Sequence, residues 1–139
     1  MTNAILPILI PILTAVLGSY STYYFLTKSK KNEAILRFKQ EKYSKLLLFL
    51  QGFVGDTVSG ELKRKFFEEQ HQSWFYCSDE VVTAINEMIQ LIVDANPRAP
   101  ESSKGKIAIG KIVLAMRRDL LGKTNLVADD FIIYGVGNR

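Results

Sequence analysis

Arg64 and His71 are the two side chains whose types and spacing come nearest to a chemical pair in this chain. An imidazole gains and loses a proton near neutral pH, and a guanidinium offers a planar fork to carboxylate or phosphate oxygens. Seven positions apart, the two fall on nearly one face of a helix, with Phe67 between them and Trp74 beyond. The plainer alternative leaves Arg64 in solvent and sets His71 at the rim of an aromatic cluster. Arg117 and Arg118, in the run Met116-Arg117-Arg118-Asp119-Leu120, occupy the last turns of an expected helix, where the dipole favours positive charge. Asp79, Glu80 or an acid of another protomer are their candidate partners, and a phosphate-bearing ligand is the sharper alternative.

Other chemistries lack their residues. One cysteine, Cys77, and one histidine, His71, allow neither a disulfide within one chain nor a zinc site built from these two types alone. Cys77 reads as a small buried apolar residue in a reducing compartment. Asp129 and Asp130 are too isolated to hold a metal, and no glycine-rich phosphate loop or nucleophile elbow is present. Neither metal nor cofactor is expected.

The elements that position these residues start with Ala4 to Leu26, which carry no charge and are followed by Lys28-Ser29-Lys30-Lys31. As a helix, such a run reaches ~35 Å, enough to cross a hydrocarbon core of ~30 Å. The lysines at one end place that end in the cytoplasm and the N-terminus outside. Tyr20, Tyr23, Tyr24 and Phe25 precede the lysines, where an aromatic belt meets the headgroups. A cleaved signal peptide fits poorly, because the charges follow the apolar run instead of preceding it. The lipid bilayer is thus an expected partner, with Lys28, Lys30 and Lys31 at its surface. The net charge of +4 is too modest for a nucleic-acid footprint, so nucleic acid is not expected as a stable partner.

Within the apolar run, Thr14, Gly18, Ser21 and Thr22 align along one helical face, with Ala15 and Ser19 beside them. Three overlapping pairs of small residues four apart let membrane helices approach closely, and their hydroxyls can bond across the contact or line a wet lumen. Pro7 and Pro11 each remove a backbone donor in the outer half, and either kink it or are tolerated there.

The apolar helix is expected to continue to about Gln51, with Ile35, Tyr43, Leu46, Leu47, Leu50, Phe53 and Val54 on an inward face and Lys39, Glu41, Lys42 and Lys45 solvated. Gly52, Gly55 and Asp56 weaken its end, and Ser59-Gly60 turns the chain. A second helix follows from about Glu61 to Tyr76, with Leu62, Phe66, Phe67, Trp74 and Phe75 as its apolar part. Ser78 caps a third, Asp79 to about Val93, whose stripe is Val82, Ile85, Ile89 and Ile92. Asp94 to Pro97 stop it, and Pro100 to Gly105 form an exposed loop. A fourth runs from about Lys106 to Leu121, with Ile109, Ile112, Met116 and Leu120 inward and Gly122 at its end. Asp129 or Asp130 opens a last turn near Tyr134. The pattern predicts an all-α protein: a membrane anchor with basic flank over 1–31, a cytosolic antiparallel bundle of about four helices over 32–134, and a flexible tail over 135–139.

The stretches Tyr76-Cys77-Ser78-Asp79-Glu80-Val81 and Ala115-Met116-Arg117-Arg118-Asp119-Leu120 resemble signatures in small bacterial single-pass membrane proteins with a helical cytosolic domain, which implies a bacterial inner-membrane location. On Arg64 and His71, the chain is also similar to the membrane accessory family of type VI-B CRISPR systems. That resemblance implies a HEPN-like helical domain, an oligomeric pore and a membrane-depolarising role in antiphage defence, with a soluble defence partner. HEPN-type ribonucleases use an Arg followed by a His on RNA, usually with two protomers sharing the site. It therefore also implies Arg64 and His71 as a catalytic pair, the Arg holding the scissile phosphate. Against these stands a passive adaptor that anchors a soluble partner through the bundle. A non-enzymatic homo-oligomer is the leading expectation, motivated by the small-residue face and by more aromatic residues than one small core buries.

Overall fold

The computed structural model describes residues 6–53, 59–96 and 100–132, and the side chains from Pro7 onward. Val54, Gly55, Asp56, Pro97, Tyr134 and the expected tail over 135–139 lie outside the described residues. The chain divides into two units, Met1–Phe38 and Lys39–Arg139. Every described regular element is helical: α1 (Leu6–Leu50) with a 3-10 turn (Gln51–Phe53), α2 (Gly60–Ser73), α3 (Asp79–Ala95), α4 (Ser102–Leu121) and a final 3-10 turn (Ala128–Asp130). The N-terminal helix thus continues into a bundle of four helices, as the periodicity predicts.

α1 is long because nothing in it competes with helix. Pro7 falls in the first turn, where its missing N–H has no partner to lose, and the helix carries Pro11 without a break. Glu33–Arg37 at 2.7 Å and Glu41–Lys45 at 2.9 Å are ion pairs one turn apart. Tyr43, Leu46 and Leu50 are buried, but Ile35 is not. It lies on the same stripe but in the N-terminal unit, before the bundle residues begin. Lys39 and Lys42 are also not solvated as expected. Their side chains are only 21% and 18% exposed, each with its ammonium on a carboxylate of another helix.

α2 begins with a real cap, the Ser59 hydroxyl accepting from the Leu62 N–H at 3.4 Å. It ends at Ser73, earlier than the apolar pattern suggests. There the Ser73 hydroxyl donates to the Gln70 carbonyl, and the Tyr76 and Cys77 N–H groups both bond the Ser73 carbonyl. This turn swings Tyr76 back toward Tyr43 and throws Trp74 and Phe75 outward. Of the apolar residues expected inward on α2, Phe66 alone is fully buried, wedged edge-on against Phe53 and Phe67. Lys42 meets Glu69 while Phe53 meets Phe66, so α1 and α2 run antiparallel.

α3 carries Asp79 and Glu80 over its positive end. Ser78 stands at the N-cap but makes no cap bond, and its buried hydroxyl has no partner among the described residues. The buried stripe is Val81, Ala84, Ile85 and Met88, one position round from the expected one, so Val82, Ile89 and Ile92 are half-buried. α4 starts at Ser102, a turn before Lys106, because Glu101 organises the first turn through Ser103 and Lys104. It packs closely along α3, with Ile109, Ile112 and Met116 buried as expected and Leu120 half-buried. Gly122, at φ +85°, ends it in a conformation that favours glycine. The chain then returns along α4, and the Ala128 carbonyl lies so close to Gly110 that a Cβ there would collide with it. The last turn is held by the Asp130 carboxylate accepting the Val127 N–H at 2.8 Å.

Candidate functional site

Every residue from Pro7 to Phe38 is exposed to whatever surrounds the chain. Twelve large apolar or aromatic side chains between Ile8 and Leu26 find no cover within the protein, and α1 is long and apolar enough to cross a membrane. On the small-residue face, the Thr14 hydroxyl donates to the Ile10 and Pro11 carbonyls at 3.0 and 2.9 Å, and the Thr22 hydroxyl to the Gly18 carbonyl at 2.8 Å. Those protons are therefore used within the helix, which leaves a smooth surface. Ala15 lies beside it, and the Ser19 and Ser21 hydroxyls make no hydrogen bond among the described residues. A Cβ added at Gly18 would meet nothing within 4 Å.

Arg64 and His71 both lie on the exposed side of α2. Arg64, 71% exposed, faces Glu68 at 3.5 Å. No bond links the Arg64 and His71 side chains, and over seven helical residues their backbones stand ~10 Å apart.

Arg118 forms an ion pair with Glu80, one of the partners expected from the sequence, and the Arg117 Nε donates to the Thr124 hydroxyl at 3.1 Å. About two turns away, Lys111 pairs with Glu87 at 2.9 Å. The reversed order of these pairs makes α3 and α4 antiparallel. Between them and the returning segment lies a groove of about 460 Å³, floored by Ala84, Leu114 and Ala115 and edged by Leu126 and Val127. Its four charges satisfy one another, so it offers a ligand no free cation.

The strongest polar constellation is one that sequence reasoning missed. The Tyr43 hydroxyl donates to the Asp119 carboxylate, which the Lys39 ammonium also grips through both oxygens at 3.0 and 2.8 Å. Beside it, Lys42 binds Glu69 at 2.7 Å and Gln72 at 3.2 Å, and the Tyr76 hydroxyl donates to Glu69 at 3.2 Å. Burial is the main cause that pushes the Tyr43 phenol far above its usual range, with the Asp119 bond adding to it. Burial likewise raises Tyr76, assisted by Cys77 and Glu69. The half-buried Cys77 thiol is raised too, burial outweighing its bonds to Tyr43 and Ser73, so it stays protonated and unreactive at neutral pH. Each acid in this network is matched by a base, and what it does is hold α1 to α2 and α4. Asp119 stands three residues after Met116 and seven after Ile112, on the inward stripe. An acid on an apolar stripe was the signal that could have revealed it.

Among the described residues, no three His, Cys, Asp or Glu side chains converge as a metal site would require. No protein-family model, curated protein or solved structure matches the chain. The geometry is that of an all-α protein with one N-terminal helix fit to span a membrane, followed by a helical bundle.

Proposed function

We propose that this protein is a non-enzymatic single-pass membrane protein that works as a homo-oligomer. In this reading its N-terminus lies outside the bacterial inner membrane, its bundle lies in the cytoplasm, and the bundles gather several spans into a pore. The observation that carries the proposal is the pairing of two unspent surfaces. One is the face of Thr14, Gly18 and Ser21 on the span, its threonine hydroxyls folded away. The other is the turn at Trp74 and Phe75, 61% and 92% exposed in the single chain. Small faces bring membrane helices together by close packing, and exposed aromatic anchors are the usual centre of a protein interface. Membrane depolarisation in antiphage defence, implied by the resemblance to the type VI-B accessory family, is the physiological output of such an assembly.

The test is dye release from liposomes reconstituted with full-length protein. Gly18→Leu adds a side chain where the single chain has open space and a better helix former than glycine. Leakage by the parent protein that this variant abolishes supports the pore; leakage equal in both, or none in either, removes it. The exposed aromatic turn also favours a second reading, an adaptor that anchors a soluble partner. That reading expects intact membrane potential on expression and a partner whose copurification Phe75→Ser abolishes.

A further inference from the structure

Two features of the bundle lack a counterpart in the single chain: the turn that throws Trp74 and Phe75 outward, and the groove between α3, α4 and the returning segment. They lie at one end of the bundle. Tyr76, next after Phe75, packs on Tyr43 with ring centroids 6.2 Å apart, and the Tyr43 hydroxyl reaches Asp119. Arg118, beside Asp119 in the chain, pairs with Glu80 on the rim of the groove. Yet the turn does not fill its own groove: neither ring is among the described residues that line it.

The chemistry of the groove selects its occupant. Its acids and bases are already matched, which disfavours an ion. Ala84 and Ala115 keep the floor low, and Leu126 and Val127 stay exposed along one edge, so about 460 Å³ stands open to an apolar group. The rim suits aromatic rings. An indole N–H finds acceptors in the Glu80 and Glu87 carboxylates, and Lys111 and Arg118 offer cations to ring faces. We propose that this groove receives the Trp74 and Phe75 side chains of a second copy of the chain. Knob and groove are unlike surfaces, so each copy gives one and takes the other, the head-to-tail contact that closes into a ring. This contact rests on the homo-oligomeric reading above and supplies its bundle side. Two such anchors bury about 150–250 Å² each, and with the share of the groove the contact stays below the ~1,200 Å² of a stable soluble complex. It therefore holds together copies that already share a bilayer.

The test co-expresses two full-length variants, both carrying Cys77→Ser, one with Phe75→Cys and the other with Val127→Cys, and oxidises the membranes. The expected result is a disulfide-linked dimer from the mixture and none from either variant expressed alone. Thr83→Trp, at an exposed position on the groove wall, should abolish that dimer when added to the Val127→Cys copy. A dimer from the Phe75→Cys variant alone sets turn against turn and overturns the proposal, as does a mixed dimer that survives Thr83→Trp. Absence of the mixed dimer from a protein that is still a multimer in native lipid nanodiscs overturns it too, and leaves the homo-oligomeric reading standing with another occupant for the groove. A strict monomer there removes both.

Discussion

At the residue scale, Asp119 has the most to hold. It accepts from a buried phenol and from an ammonium whose side chain is four-fifths covered, so Asp119→Ala strands two donors at once. Breaking a partly buried pair in this way is expected to cost about 2 kcal/mol, read as a lower denaturation midpoint. Lys39→Met keeps the Tyr43 bond and covers the same surface, so it should cost less than half as much. The raised phenols and thiol set a pH dependence of definite sign. Each acid holds its proton more tightly folded than unfolded, so the unfolded chain ionises first and stability falls as pH rises. The loss should begin above ~8.5, the free thiol's range, and steepen near 10, where free tyrosine ionises. In Tyr43→Phe with Tyr76→Phe, the steep part of that decline should shrink.

At the scale of elements, the returning segment after Gly122 is fastened by a close approach that only glycine permits. Gly110→Ala forces its Cβ onto the Ala128 carbonyl and should lower stability by ~1–3 kcal/mol through displacement of that segment. Gly105→Ala, in the same helix but facing open space, should raise stability by up to ~1 kcal/mol. Urea midpoints of the two variants moving in opposite directions would verify both. Periodicity made the helices legible, since Tyr43, Leu46, Leu50, Ile109 and Ile112 sit where a 3.6-residue stripe puts them. It did not reveal where α2 stops. The apolar pattern runs on through Trp74 and Phe75, while the turn is set by the Ser73 hydroxyl and carbonyl, a competition that hydropathy does not register. Lys39 and Lys42 read as solvated for a related reason. Their aliphatic stems lie along the bundle and their charges are met by Asp119 and Glu69, distant in sequence. Arg118 meets Glu80, one of several acids that the sequence offers to it and to Arg117, whereas Arg64 and His71 share spacing alone.

For the whole molecule, two kinds of surface need an environment that the single chain does not supply. The stretch from Pro7 to Leu26 displays its apolar side chains all round, which suits hydrocarbon and not water. Trp74 and Phe75 display theirs at one turn of the bundle, too small a patch to hold a soluble dimer; in the proposed reading the span confines the chain to two dimensions, where local concentration is high. Replacing both, Trp74→Ser with Phe75→Ser, should therefore leave the fold's stability within about 0.5 kcal/mol of the parent, checked by denaturation, while weakening association. We propose that the protein self-associates through the span and the aromatic turn. The most direct measurement of this is the mass of the full-length protein extracted in native lipid nanodiscs, for the parent and for Gly18→Leu. A defined multimer in the parent that shifts to smaller species in the variant is the predicted result; a strict monomer in both would contradict it.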